Sequence, residues 1–272
     1  MFDESLSEAW QARYGGETEL PKNLEIDALI ARHLNHRSVR KYSDRAVPES
    51  LVSFLVAAAQ SASTSSNLQM WSIVSVQDPK RRKLLAELCD DQSQVETAPW
   101  FFMFFADQHR LATAAREAGE AADGLDYHEY YLMAVIDATL AAERMVAAAE
   151  QLGLGSCYIG ALRDRPREVR EVVGAPPQTF GVFGLCLGYP EESSTAEIKP
   201  RLAQECVWYR ERFPEHPSIG DYNERMVAFY ESQKMNVNAS WAMRSGRRVD
   251  NNHLHGREIL AEFAREQGLN LR

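Results

Sequence analysis

From Pro48 onward Leu51, Phe54, Leu55, Ala58 and Ala59 recur at helical spacing, and the proline's fixed φ suits a first helical turn. A helix is expected there, ending in the hydroxyl run Ser61 to Ser66, which reads as a loop or cap. Trp71 to Gln77 (WSIVSVQ) is β-branched and nearly alternating, while Trp100 to Ala106 (WFFMFFA) is apolar at every position. Both suit strands, the second buried on both faces, with Pro79 to Cys89 a helix between them. Ahead of these, an acid-rich stretch with a Gly15-Gly16 break leads into Ile26, Leu29, Ile30 and Leu34, again at helical spacing. The expectation is an extension followed by a helix.

Tyr127 to Leu152 is the longest helical pattern, apolar around much of its circumference, interrupted by Asp137, Glu143, Arg144 and Glu150, and stopped at Gly153. Such a helix is buried in its own core or against a second subunit. A short apolar piece at Ser156 to Gly160, a helix around Arg167 to Val173, a strand at Phe180 to Leu187 and a Gly188-Tyr189-Pro190 turn follow. Beyond Pro217 the chain reads as helical, with a polar loop near Asn236 to Asn252. No repeat, low-complexity tract or linker appears, so one α+β domain is expected. Its parts are residues 1–35 as extension and first helix, 36–232 as core, and 233–272 as a helical C-terminal arm.

The 272 residues are 45% hydrophobic and 25% charged, enough to build a core without disulfide or metal staples. Cysteines at 89, 157, 186 and 206 form no C-x-x-C pair and read as small hydrophobes. A net charge of −9 gives no surface for a nucleic-acid backbone, so a positive cluster should serve something small. The N-terminus is acidic with no apolar run behind it, and no stretch approaches membrane-spanning length, so a cytoplasmic protein without a membrane partner is expected.

Against that acidity, His36-Arg37-Ser38-Val39-Arg40-Lys41-Tyr42 packs three permanent cations, a histidine and a hydroxyl into seven residues. Guanidinium groups grip phosphate oxygens bidentately, and Ser38 adds a donor, so the segment suits a phosphate; a solvated basic loop is the plain alternative. Lys199-Pro200-Arg201 sets two cations on a stiffened backbone. Ser63-Thr64-Ser65-Ser66-Asn67-Leu68-Gln69 is rich in short donors and acceptors but lacks the lysine and glycines of a P-loop, and a helix-capping loop explains it equally well. Gly153-Leu154-Gly155-Ser156-Cys157-Tyr158-Ile159-Gly160 has Tyr158 where a dinucleotide fingerprint needs its third glycine, and it follows a helix, so the Rossmann reading fails. Its glycines either let backbone pass close to a flat ligand or cap the helix. His128-Glu129 lacks a zincin's second histidine, His253 and His255 lack a third ligand, and no Gly-x-Ser-x-Gly elbow exists, so neither a metal nor a serine nucleophile is expected. Met133 and Met145 read as packing.

Taken in order, HRSVRKY, SASTSSNLQ, GLGSCYIG, FGLCLGYP and IKPR resemble the nitroreductase superfamily, within it the oxygen-insensitive NADPH nitroreductase and NADPH–FMN oxidoreductase group, over roughly residues 30 to 233. The resemblance implies an α+β fold with a mixed, mainly antiparallel sheet flanked by helices, in an intertwined homodimer with FMN at the subunit interface. It makes His36, Arg37, Ser38 and Arg40 flavin contacts, with Lys199 and Arg201 around the phosphate and polyol end. Ser63, Thr64, Ser65, Gln69 and Gln92 would be further contacts, and Tyr158, Ile159, Gly160 and Ala161 would lie against the N5 side of the ring. Arg40 is, by analogy, the cation that stabilises negative charge at N1; no side chain acts as nucleophile. Departures are Ala161 where the family often has glycine, Tyr189 for a tryptophan, and Gln233 where close relatives carry an arginine for the 2′-phosphate of NADPH, with Lys234, Arg244, Arg247 and Arg248 nearby. The N-terminal extension has no counterpart in compact relatives.

The implied activity takes hydride from NADPH or NADH and passes electrons to nitroaromatics, quinones or free flavin in a ping-pong cycle. Rival roles are a flavin reductase feeding a monooxygenase, a dehydrogenase using no NAD(P)H, and, more distantly, a non-catalytic flavin-binding protein.

Overall fold

The apolar run at Trp100 becomes the inner strand of a four-stranded sheet. A computed structural model describes residues 2–15, 32–193, 197–235, 239–269 and 272. In chain order its helices are α1 (Phe2–Tyr14), α2 (Glu49–Gln60), α3 (Pro79–Leu88), α4 (Ser93–Thr97), α5 (His109–Glu117), α6 (His128–Gln151), α7 (Pro166–Val173), α8 (Tyr222–Ser232), α9 (Trp241–Arg248) and α10 (Leu260–Glu266). The strands are β1 (Trp71–Ser75), β2 (Trp100–Asp107), β3 (Gly155–Ile159) and β4 (Thr179–Gly188), in the order β1-β2-β4-β3 with every neighbouring pair antiparallel. The chain divides into two compact units, residues 1–37 with 195–254 and residues 38–194 with 255–272.

The second unit holds the sheet. Side chains alternate across a strand, and here both faces are covered: Phe101, Met103 and Phe105 of β2 join Leu85, Val95, Ile159 and Cys186, while Phe102 and Phe104 join Leu55, Met145, Val146 and Leu185 on the other side. That is why the run shows no polar alternation. Burying one such phenylalanine stabilises by about 1.5–3 kcal/mol, and none of these rings reaches water. Residues 38 to 42 lie along the sheet margin. Ser38 makes a parallel bridge to Ser156, Val39 N–H donates to the Ser156 carbonyl at 2.8 Å, and Tyr42 bridges Pro190. A Cβ at Gly155 would lie 2.5 Å from Val39 Cγ2, so this approach requires glycine. Gly153, at φ +80°, terminates α6. Gly153 and Gly155 of GLGSCYIG thus serve a helix end and a strand contact.

In the first unit α1 buries Ala9, Trp10 and Arg13 on one face and leads to a short 3₁₀ turn at Arg32–Asn35. Tyr222, Met226 and Tyr230 of α8 pack with Leu202, Ile219 and Trp241. The Tyr222 hydroxyl donates to the Pro200 carbonyl at 2.9 Å, fixing the Lys199-Pro200-Arg201 segment to α8.

Two sequence expectations are corrected. The extension carries a helix, α1, where none was expected; its buried face ends in an arginine, which hides the pattern. The helix expected over Ile26, Leu29 and Ile30 lies outside the described residues. The polar stretch near Asn236 to Asn252 contains α9, a helix with no buried residue, started by Ser240, whose hydroxyl accepts from Met243 N–H at 3.3 Å. Among the described residues no helix is long and apolar enough to cross a membrane.

Candidate functional site

The hydroxyl loop after α2 is built on a carboxylate. Asp137, in the middle of α6, is 1% exposed. Its Oδ2 accepts from the Thr64 hydroxyl at 2.5 Å and from Met70 N–H at 3.1 Å, and its Oδ1 from Ser65 N–H at 3.2 Å. Thr64 Oγ1 in turn accepts from Gln69 N–H at 2.9 Å, so its proton is committed within the loop. Between these ties Ser66, Asn67 and Gln69 have φ of 48°, 57° and 50°, a left-handed conformation that costs an L-residue about 1–2 kcal/mol. Asp137 holds a strained loop whose exposed residues Ser63, Ser65 and Gln69 offer polar groups outward. A charged residue interrupting an apolar helix was the visible signal, and its role as an anchor was not anticipated.

Gln92 stands before α4, after Asp90 and Asp91 at φ of 64° and 52°. Its Oε1 accepts from Gln94 Nε2 at 2.7 Å, leaving its own NH₂ as a donor. Beneath it the buried Arg82 donates Nε to the Val95 carbonyl at 2.9 Å and Nη2 to the carbonyls of Val95 and Ala98, pinning α4 to α3. Burial pulls this guanidinium below its usual pKa, and the carbonyls compensate the desolvation.

On β3 the Tyr158 hydroxyl donates to Glu143 Oε2 at 3.2 Å, and its ring meets Phe183 edge-on. Burial first, then the Glu143 charge, push the phenol above its ordinary pKa. Ile159 and Ala161 send their side chains into the core, so main chain is what they offer a ligand. The extra methyl of Ala161 is taken up there, among Leu162 and Val169. Tyr189, the second departure from the family pattern, lies under Arg45, whose guanidinium carbon is 3.7 Å from the ring centroid.

Of the expected cations, Arg40 in the second unit is exposed and makes no hydrogen bond or ion pair among the described residues; Ser38, two positions before it, is half-buried. Its charge offsets part of the effect of burial on Cys157. In the first unit Arg37 is likewise exposed without a hydrogen bond or ion pair among the described residues, His36 is half-buried, and Lys199 and Arg201 are exposed. Arg201 Nη1 donates to the carbonyls of Lys199 at 3.1 Å and Pro200 at 3.3 Å. The arginines noted in the arm are partly committed: Arg244 stacks on Tyr230 and Arg248 donates to the His253 carbonyl, leaving Arg247 without a bond.

Cys89, Cys157 and Cys186 are buried, and Cys206 is partly open. Burial pushes the Cys89 thiol up to about 12 and raises Cys157 and Cys186 as well. Titration of the folded protein with an aromatic disulfide at neutral pH will therefore modify Cys206 alone, and the other three will react only after unfolding. Two or more fast thiols in the native state would refute this burial.

Residues 34–189 match the model of the nitroreductase family, and residues 199–272 that family's C-terminal domain. The chain is 40% identical to an FMN reductase (NADPH) of Bacillus subtilis over 181 residues, 66% of this chain and 72% of that one. It is 34% identical to the NADPH-flavin oxidoreductase of Vibrio harveyi over 220 residues, 80% of this chain and 87% of that one. Among solved structures, B. megaterium NfrA1 superposes with a TM-score of 0.83 at 34% identity, covering 90% of this chain and all of that one. The NADPH:FMN oxidoreductase of V. harveyi complexed with NAD+ gives 0.75 at 30%, covering 90% and 99%.

Proposed function

Because the chain belongs to the nitroreductase family, we propose that it holds FMN and works as an NAD(P)H oxidoreductase, passing electrons in a ping-pong cycle to nitroaromatics, quinones or free flavin. Its relatives are named FMN reductase (NADPH), NADPH-flavin oxidoreductase and Cr(VI) reductase. The observation that carries the reading is chemical: in a chain of net charge −9, the first unit exposes Arg37, Lys199 and Arg201, and the second exposes Arg40 near the Ser38 hydroxyl, with no hydrogen bond or ion pair at Arg37 or Arg40 among the described residues. Such a donor set fits a phosphate.

The other expected positions support the same cofactor. The Gln92 amide and the hydroxyls of Ser63 and Ser65 are free to bond the polar groups of a flavin, and Gln69 adds an exposed amide. Thr64, with its proton on Asp137, serves as acceptor and brace. The β3 end at Tyr158, Ile159, Gly160 and Ala161 offers main chain. Arg40 supplies a permanent positive charge that favours added electron density nearby. Bound FMN supplies the redox chemistry itself, taking hydride from nicotinamide and releasing electrons to the acceptor.

A homodimer is part of the proposal. Leu132, Ile136 and Leu140 lie four residues apart on α6 and are 44–46% exposed, an apolar stripe that a second copy would cover. A cytoplasmic location is also proposed, in keeping with four cysteines that form no C-x-x-C pair and no disulfide framework.

The test is a visible spectrum of the purified protein under anaerobic conditions, before and after NADPH and, separately, NADH. A flavin spectrum bleached by either nucleotide is expected. A yellow protein that neither nucleotide bleaches would favour a dehydrogenase using another donor. A colourless protein that cannot be loaded with FMN would overturn the reading.

A further inference from the structure

Residues 1–33 lie outside both matched family regions, yet the last turn of α1 reaches into the segments that carry the phosphate-binding cations. Arg13 is 5% exposed. Its Nε donates to the Leu34 carbonyl at 3.0 Å, its Nη1 to the Lys199 carbonyl at 2.8 Å and its Nη2 to the His36 carbonyl. The Arg13 carbonyl accepts in return from Arg201 N–H at 2.8 Å and from Arg225 Nη1 at 3.1 Å, and Arg225 Nη1 also reaches the Arg201 carbonyl at 3.0 Å. One planar guanidinium thus joins two stretches of chain more than 160 residues apart. The joined groups are those of Leu34 and His36 on one stretch and of Lys199 and Arg201 on the other.

Bringing two cationic segments together opposes their mutual repulsion, and an anion site assembled only on ligand arrival would lose affinity to that ordering. A buried guanidinium that spends its donors on three carbonyls fixes both segments beforehand and keeps its own charge satisfied. Ammonium, a point charge on a flexible stem, cannot serve the same fork. Lys199 and Arg201 are exposed, while the Lys199 carbonyl and the Arg201 N–H are held by Arg13.

We propose that α1, through Arg13, is a built-in part of the FMN phosphate site of this chain: Arg13 is a positioning residue that organises the His36-Arg37 and Lys199-Arg201 segments without touching the ligand. The inference rests on the FMN reading above.

Apoprotein is titrated with FMN and with riboflavin, which lacks the phosphate, following flavin fluorescence for wild type, Arg13→Gln and Arg13→Lys. Both variants should lose about tenfold or more in FMN affinity while riboflavin affinity stays within about twofold, because only the phosphate end is disorganised. Equal weakening of both ligands would mean general loss of structure and would overturn the proposal; so would an unchanged Arg13→Gln, or an Arg13→Lys that matches wild type. If Arg13→Gln does not fold, Arg225→Gln loosens the same junction from its solvent side. The same phosphate-selective loss is expected there, and an unselective or absent one counts against the proposal. A wild-type protein that binds neither flavin sinks the FMN reading itself, a result distinct from any of these.

Discussion

Replacing Asp137 by alanine will lower the unfolding free energy of the apoprotein by about 3–5 kcal/mol, the loss expected when a buried hub of hydrogen bonds is removed. Three donors lose their acceptor at once: the Thr64 hydroxyl and the N–H groups of Ser65 and Met70, the last in a fully buried setting. Each donor left unsatisfied in the interior costs about 1–3 kcal/mol, and water can reach only the Thr64 and Ser65 side of the loop. The left-handed residues Ser66, Asn67 and Gln69 then have nothing to hold them, so the loop relaxes and its polar groups leave their places. Urea denaturation of wild type, Asp137→Ala and Thr64→Val measures this directly. Thr64→Val removes one donor and leaves the carboxylate two, and the Gln69 N–H that it also orphans is exposed to water, so its loss should be well under half as large. An Asp137→Ala protein within about 1 kcal/mol of wild type would show that the carboxylate does not support the loop.

The difference between Asp137 and Thr64 marks where sequence reading stops. The hydroxyl run stood out as a candidate because its composition is unusual, but which hydroxyls point outward depends on a residue more than 70 positions later. β2 and β4 were legible because a seven- or eight-residue apolar run has few other uses, and α6 because its pattern ends at a glycine. Their order in the sheet was not, since pairing is set by contacts far apart in the chain. α1 was hidden because Leu6, Ala9, Trp10 and Arg13 place a cation at the fourth position of an inward face, which periodicity counts as solvent-exposed. α9 was hidden for the opposite reason: it has no buried face, and its start depends on a serine cap. Arg13, Arg82 and Asp137 share one property. Each is a charge held largely by backbone groups, and backbone groups leave no trace in residue types.

The cations, by contrast, were legible because charge survives any fold, and the double variant Arg37→Ala with Arg201→Ala tests them most severely. A hydrogen bond to a charged group contributes about 1.5–3 kcal/mol, so the pair should weaken FMN binding by at least about 3 kcal/mol, on the order of a hundredfold or more in dissociation constant. Both side chains are exposed and Arg37 makes no bond among the described residues, so folding stability should hardly change, which separates loss of binding from loss of structure. Wild-type affinity should also fall with added salt more steeply than that of the variant, because fewer charges remain for salt to screen. The single variants place the contributions. If the two losses sum, each arginine meets the phosphate independently; if the double variant is little worse than either single, the two act as one clamp. FMN affinity unchanged in the double variant would place the phosphate elsewhere, and the acidic chain would then owe its two exposed cationic segments to something other than flavin.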